Sequence, residues 1–473
     1  MEASRVLEIF KEITTIPRES GHEGPMTDWL CKWAEDNSLA WKRDETGNVL
    51  ITRPAAPGKE NVPVIVLQAH QDMVCEKLSG VQHDFRKDPV DYVIEDGWMI
   101  AKNTTLGADD GIGIAACLAL LEDPYPTGGI ECLFTISEET GMDGAEALEP
   151  GFFQGKTLIN LDSEDEGQLF IGCAGGLNTN IRFRVSRKPA ALGCVRCRIN
   201  GAIGGHSGDD INKGRANTVL LMARFLYGKL KDNLLLVSID GGGKPNAIAR
   251  ECEAVVAVPD TRKFIEDFNA FGADLAEEFH TTDPGLVCEA EPVSASEAPL
   301  TPRSSARIIT SLFACPHGMA AMNQDIPGLV QTSSNLASVH TLDSRNVIEV
   351  VTSQRSSSTS ERRAMAAKVR ANFEQAGALV RHMYEYPGWN PDMSSHVLAV
   401  TVGAYRKLFG KEPEVLAIHA GLECGLFLQK MPYLDMISFG PTLRGVHAPG
   451  EKLELDSLWK FTALLDEVVR NYK

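Results

Sequence analysis

Three short apolar runs dominate the first third of the chain: "VPVIVLQAH" (62–70), "IECLFTISEE" (130–139) and "TLINLDSED" (157–165). Each is rich in branched residues and ends in polar or charged side chains. That pattern predicts strands buried on both faces of a mixed α/β sheet, with functional groups gathered at one strand end. Between the first two runs lies "GADDGIGIAACLALLED", acids and glycines first and Ala/Leu packing residues after, which predicts a helix from about Asp110 to Glu122. At the N-terminus Val6, Leu7, Phe10 and Ile13 recur at helical spacing and predict an amphipathic helix. Strands alternating with helices imply an open sheet, whose sites lie beyond the strand ends.

From about residue 185 the texture changes. "CVRCRINGAIGGHSG" reads as a strand and a glycine loop, and "RANTVLLMARFLYGKL" as a helix. "LLLVSIDGGGKPNAIARECEAVVAV" reads as two strands around a turn, and "TRKFIEDFNAFGADLAEEF" as a second helix. This β-α-β-β-α order suits a two-layer α+β domain. Similar material follows at 303–380, with strands near "SSNLASVHTL" and "NVIEVVTSQRSS" and a helix in "ERRAMAAKVRANFEQAGA". The insertion is therefore expected to hold two related halves. "EYPGWNPDMSS" reads as a return linker, after which a helix, two strands and a closing amphipathic helix complete the first sheet. The expected division is residues 1–184 and 386–473 in one domain, with 185–385 inserted.

At 473 residues the chain is long enough for two or three cores. Hydrophobic and charged fractions of 43% and 23% are those of an ordinary soluble protein, and no apolar run is long enough to span a bilayer. The N-terminus lacks the basic-then-apolar pattern of a signal peptide. A net charge of −18 argues against nucleic-acid and anionic-membrane partners and is compatible with a cation site. Eleven cysteines without an export signal suggest free thiols in a reducing compartment, which leads to a cytoplasmic expectation. The pair Cys194 and Cys197 reads as part of a strand whose Val195, Cys197 and Ile199 bury one face.

Ligand-type residues collect at the predicted strand ends. His70 and Asp72 close the first strand, Asp109 stands at the following helix start, Glu138 and Glu139 end the next strand, Asp162 ends the one after, and His447 lies in the last loop. Two His, two Asp and one Glu form a nitrogen and oxygen donor set suited to zinc, with manganese or cobalt as substitutes. Five ligands are too many for one tetrahedral ion and fit two ions bridged by a shared Asp. Asp72 and Glu138 then remain for support and acid/base work. Taken singly, each residue has an ordinary explanation: a structural strand-end His, an N-cap Asp, an acidic turn. Taken together, carboxylates crowded at neighbouring strand ends would repel strongly without a cation. On this reading "SEETG" (137–141) is neither a helix start nor a charge run, but a strand end that turns so that its two glutamates do different work.

The blocks "IPRESGHEG", "IVLQAHQDMV", "HDFRKDP", "TTLGADDGIG", "SEETGMDGA", "INLDSEDEG", "GCAGG", "GGHSGDDI", "HAGLECGLF" and "GPTLRGVHAPGE" run nearly end to end. With them the sequence resembles the M20 family of co-catalytic metallopeptidases, and within it the aminoacyl-histidine dipeptidases. The resemblance implies an α/β fold: a mixed-sheet, three-layer catalytic domain of the zinc-peptidase type with an inserted α+β lid, ferredoxin-like and open to being doubled. It implies two Zn2+ per chain, with Co2+ or Mn2+ as substitutes. His70 and Asp162 would hold one, Glu139 and His447 the other, and Asp109 would bridge them. Asp72 would orient His70, and Glu138 would be the general base. In the lid, His206 would stabilise an oxyanion, while Asn246 and Arg355 would hold the substrate, Arg355 by its free carboxylate. Gly421 and Glu423 of "HAGLECG" would line the substrate pocket, with His419 equally readable as structural. The implied reaction is hydrolysis of unblocked dipeptides, Xaa-His and β-Ala-His foremost, and the alternative is an N-acyl-amino-acid deacylase of the same superfamily. Whether the chain forms a homodimer, and whether His206 acts in its own chain or a partner's, stays open. Two departures from the family pattern are Asp110, where relatives often have Asn, and Ala249, where Pro is usual.

Overall fold

A computed structural model describes every residue of the chain apart from residues 209, 296 and 343–345. The three apolar runs form the strands Ile65–His70, Ile130–Thr135 and Thr157–Asn160, and every residue in them is buried. The His70 strand lies between the other two and is parallel to both, with His70 opposite Thr135 and Gln68 opposite Asn160. Their C-terminal ends therefore sit side by side. Parallel strands covered on both faces need apolar side chains in both directions, which is why they read as continuous runs. Strand Asp435–Ser438 joins parallel to Thr157–Asn160, so residues from late in the chain complete the eight-stranded mixed sheet.

Helix Ala108–Glu122 packs on the His70 strand, and helix Ala3–Ile13 packs on that helix. Ile9, rather than Leu7, completes the buried face of the N-terminal helix with Val6, Phe10 and Ile13. Asp109 and Asp110 stand at the start of the long helix with non-helical backbone angles. Four short strands, Tyr92–Glu95, Trp98–Ala101, Leu443–Arg444 and Lys452–Glu454, form a small second sheet that the sequence pattern did not predict. It fixes both ends of the loop that carries His447.

The chain divides into two compact units. The first comprises Met1–Gly172, Trp389–Ala417 and Leu422–Lys473, and the second Cys173–Gly388 with Ile418–Gly421. The second unit begins ahead of residue 185 because strand Gly175–Arg184 pairs along its length with Val347–Ser356.

Within the second unit a nine-stranded sheet holds two β-α-β-β-α-β halves, its ninth strand, Gly318–Met322, pairing beside them with Val330–Leu342. One half is Gly193–Asn200, helix Thr218–Lys229, Leu235–Gly242, Cys252–Val258, helix Thr261–Glu278 and Val287–Val293. Its strands lie in the lateral order fourth, first, third, second, the ferredoxin-like arrangement. The other half is Gly175–Arg184, helix Pro302–Phe313, Val330–Leu342, Val347–Ser356, helix Thr359–Gln375 and Leu379–Tyr386. Read from the opposite edge, its strands follow the same order. The halves meet where Gly241 and Gly242 pair with Val339 and Ser338. The first half is thus inserted after the first strand of the second. Val195, Cys197 and Ile199 are fully buried in this sheet, and none of the eleven cysteines is joined in a disulfide. Among the described residues, no helix is long and apolar enough to cross a membrane.

Candidate metal centre

His70 ends its strand and Asp72 follows two residues later, so extended backbone turns both to one side. Asp72 is fully buried, and its Oδ1 lies 3.3 Å from His70 Nδ1. The same carboxylate accepts the backbone N–H of Glu138 on Oδ1 at 3.0 Å and that of Glu139 on Oδ2 at 3.2 Å. Ser20 Oγ donates to Oδ2 at 2.8 Å. One side chain therefore backs the imidazole and caps the segment that carries both glutamates.

That segment corrects the sequence reading of "SEETG". Glu138–Gly141 forms a single helical turn, entered through Ser137 in the left-handed region at φ 53°. Glu23 accepts both the N–H and the hydroxyl of Ser137 at 3.0 Å. The capping acceptor is Asp72, 66 residues away in sequence, so no local N-cap signal announces the turn. Successive residues of a helix point about 100° apart. Glu139 Oε1 reaches His447 Nε2 at 2.8 Å, while Glu138 takes another direction within the field of His70, Glu423 and Asp109.

Asp109 stands between the two histidines. Its Oδ1 is 3.0 Å from His70 Nε2 and its Oδ2 is 3.1 Å from His447 Nε2. Asp162 Oδ1 lies 3.4 Å from the same nitrogen of His70. Ligands at the usual bond lengths of a tetrahedral zinc ion stand roughly 3.3 Å apart. Donor atoms of His70, Asp109 and Glu139, and of His70, Asp110 and Asp162, converge closely enough to hold a cation. The donor chemistry and its convergence fit a divalent metal.

The electrostatics agree. Burial, reinforced by neighbouring carboxylates, pushes Glu138 and Asp162 well above the usual carboxylate range, and pushes Glu164 up to about 7. Burial opposes charge on His70, yet Asp162, Asp109 and Asp72 together raise it well above an ordinary imidazole. Hydrogen bonds donated to the carboxylates of Asp109 and Glu139 carry His447 up to about 11. Asp109 is lowered, against the effect of its burial, by the two imidazoles. Acids and imidazoles so placed must share protons among themselves unless cations take the protons' place.

Asp110, one of the converging carboxylates, also accepts the backbone N–H of His70 at 3.3 Å and that of Gly113 at 3.1 Å. Glu423, expected to line the substrate pocket, is wholly buried instead. Its Oε2 accepts from Gln68 Nε2 at 2.6 Å and from Thr135 Oγ1 at 2.8 Å, so it braces the strand ends. Burial raises it to about 7.

In the second unit the predicted residues are drawn together by sheet register. His206 pairs with Ala247, the residue after Asn246, and Asn246 O accepts the Ser207 N–H at 2.8 Å. Asn335 Nδ2 donates to the carbonyls of Pro245 and Ala247 on either side, leaving the Asn246 side chain exposed. Arg355 is buried, with Nη2 3.4 Å from His206 Nε2 and Nη1 donating to Tyr386 Oη at 3.2 Å. His419 Nε2 lies 2.8 Å from Ser333 Oγ, anchoring the segment that leads to Gly421. Tyr386 and Asn335 escaped the sequence reading: one lies in an apparent linker, the other amid an alternating strand.

His, Asp and Glu gathered at the strand ends of a buried mixed sheet, in a chain that also carries an inserted α+β unit, are the parts of a metal-dependent hydrolase. Residues 66–471 match the model of peptidase family M20/M25/M40, and the chain belongs to that family of metallopeptidases. It is 37% identical over 471 residues to the cytosol non-specific dipeptidase of Escherichia coli K12, covering 98% of this chain and 96% of that one. It is also similar to the crystal structure of aminoacylhistidine dipeptidase from Vibrio alginolyticus, at 38% identity and a TM-score of 0.91, covering 100% of this chain and 98% of that one. The aminopeptidase PepT of Bacillus cereus, at 17% identity and a TM-score of 0.59 over 99% of this chain and 98% of that one, shares the fold.

Proposed function

We propose that this protein is a cytosolic dipeptidase that hydrolyses unblocked dipeptides, Xaa-His and β-Ala-His among them, at a centre of two zinc ions. The observation that carries the reading is Asp109, whose two oxygens face two different histidines at 3.0 and 3.1 Å. His70 and Asp162 would hold one cation, His447 and Glu139 the other, and Asp109 both. When bound, the cations supply Lewis acidity, polarising the scissile carbonyl and acidifying a water.

Glu138 is the general base. It stands beside the ligands without being aimed at His447, and its raised affinity for protons suits it to take one from the attacking water and deliver it to the leaving amine. Asp72 keeps the proton of His70 on Nδ1, which leaves the Nε2 lone pair for a cation. The reading assigns His206 to the developing oxyanion, Arg355 to the substrate's free carboxylate, Asn246 to holding the substrate and Gly421 to the lining of its pocket. The names of the Escherichia and Vibrio relatives support dipeptides as the substrate class, and cysteines not joined in disulfides fit a reducing compartment.

The test is a panel of β-Ala-His, other Xaa-His dipeptides, dipeptides without His and N-acetyl amino acids, offered to metal-free and zinc-loaded protein. Zinc-dependent cleavage of the free dipeptides is expected. Cleavage of the N-acetyl compounds alone would reassign the protein as a deacylase.

A further inference from the structure

The "PRESGHEG" block and the last residue of "GVHAPGE" take no part in the reaction as assigned, yet both reach the ligand-bearing loops. Glu451 is 2% exposed. Its carboxylate accepts four successive backbone N–H groups, from Leu106 at 2.7 Å, Gly107 at 2.9 Å, Ala108 at 2.8 Å and Asp109 at 3.4 Å. Arg18 is equally enclosed. Its Nη1 donates to the carbonyls of Gln71 at 3.2 Å and Asp72 at 2.8 Å, and its Nη2 donates to the carbonyl of Gly107.

Gly107 is thus held from both sides, its N–H by Glu451 and its carbonyl by Arg18. It takes a left-handed φ of 69°, and any Cβ there would meet the Arg18 guanidinium and stand 2.7 Å from Met73 Sδ. The two charges are matched by oriented backbone groups, carbonyls around the cation and N–H groups around the anion. Glu451 follows His447 by four residues in the same loop, and Gly450 donates to the Thr104 carbonyl at 2.9 Å. Beside Arg18, Ser20 holds Asp72 and Glu23 holds Ser137. The segments bearing His70, Asp109, Glu139 and His447 are therefore joined by protein hydrogen bonds alone.

We propose that Arg18 and Glu451 are positioning residues that set the Asp109 loop in its metal-ready shape before any metal arrives. The inference rests on the two-cation reading above. Because Asp109 serves both cations, loosening its loop should weaken both together, whereas loss of a terminal ligand should weaken one. Binding energy is conserved when a site needs no ordering on binding, so the effect belongs in metal affinity rather than in the chemical step.

The test compares metal-free wild type, Glu451→Gln and Arg18→Lys. Zinc is titrated against a chromophoric chelator, and folding is followed without metal by circular dichroism and urea. Wild type is expected to take up two equivalents. Each variant should stay folded, bind both equivalents about 10- to 100-fold more weakly, and recover most of its turnover at saturating zinc. A folded variant with wild-type zinc affinities would overturn the proposal. So would unfolding of both variants under conditions where metal-free wild type stays folded, since the clamp would then serve stability alone. A wild type that takes up fewer than two equivalents would instead strike the two-cation reading itself.

Discussion

At Asp109 each oxygen of one carboxylate faces a different imidazole. Around it, chemically similar residues are separated by direction and enclosure. Glu139 meets His447, Glu138 is held aside on the same helical turn, and Asp72 is fixed behind both by hydrogen bonds from their backbones. Away from the site, His317 offers a separate test at this scale. Its Nδ1 accepts the Leu336 N–H at 3.2 Å, and burial lowers it to about 4. The folded imidazole binds a proton less readily than an unfolded one with the usual value near 6.5. The unfolded chain therefore takes up more protons between those limits. The stabilisation is complete above about pH 6.5 and is lost as pH falls towards 4, with an upper bound of ~3 kcal/mol. Urea unfolding of metal-free protein at several pH values should show this slope, and a His317→Leu variant should show a flatter one. Identical slopes would contradict the assignment.

At the scale of elements, the parallel strands deliver the donors because their C-terminal ends are level, and the apolar runs announce them in the sequence. His70, Asp109 and Asp162 were legible because each borders a continuous apolar run, His70 and Asp162 at strand ends and Asp109 at the head of the intervening helix. The turn at Glu138, the small four-stranded sheet and the clamp of Arg18 and Glu451 were not. Each depends on a partner far away in sequence, such as Glu451 with residues 106–109, and leaves no local pattern. Tyr386 was hidden similarly, since its strand ends in an irregular pairing beyond Met383. In the second unit, Asn217 joins the two halves. Its Oδ1 accepts the N–H groups of Val219 and Leu220, capping helix Thr218–Lys229, and its Nδ2 donates to the Leu336 carbonyl in the other half at 2.8 Å. Replacing Asn217 by Ala removes the cap and leaves a buried carbonyl unpaired, and should cost about 1 to 3 kcal/mol. A urea transition in the Asn217→Ala variant that matches wild type would refute this joint.

At the scale of the whole molecule, the chain leaves its first unit at Cys173 and returns at Trp389, so residues near both ends of the sequence build one sheet. This order was readable because strand-rich α+β material interrupts an α/β pattern that later resumes. The doubling was readable only as a likeness of texture, since the first strand of one half is separated from its remainder by the other half. Membership of the M20/M25/M40 family accounts for the architecture, while the work of individual side chains is a matter of chemistry at the strand ends. The most direct test of that chemistry is to measure zinc content and dipeptide turnover on the same samples of wild type, Glu138→Gln and Glu139→Gln. The account predicts two zinc ions in wild type and in Glu138→Gln, with turnover of the latter down by about 10²- to 10⁴-fold, and early loss of one zinc from Glu139→Gln. Wild-type turnover in Glu138→Gln, or a full complement of equally tight zinc in Glu139→Gln, would contradict it.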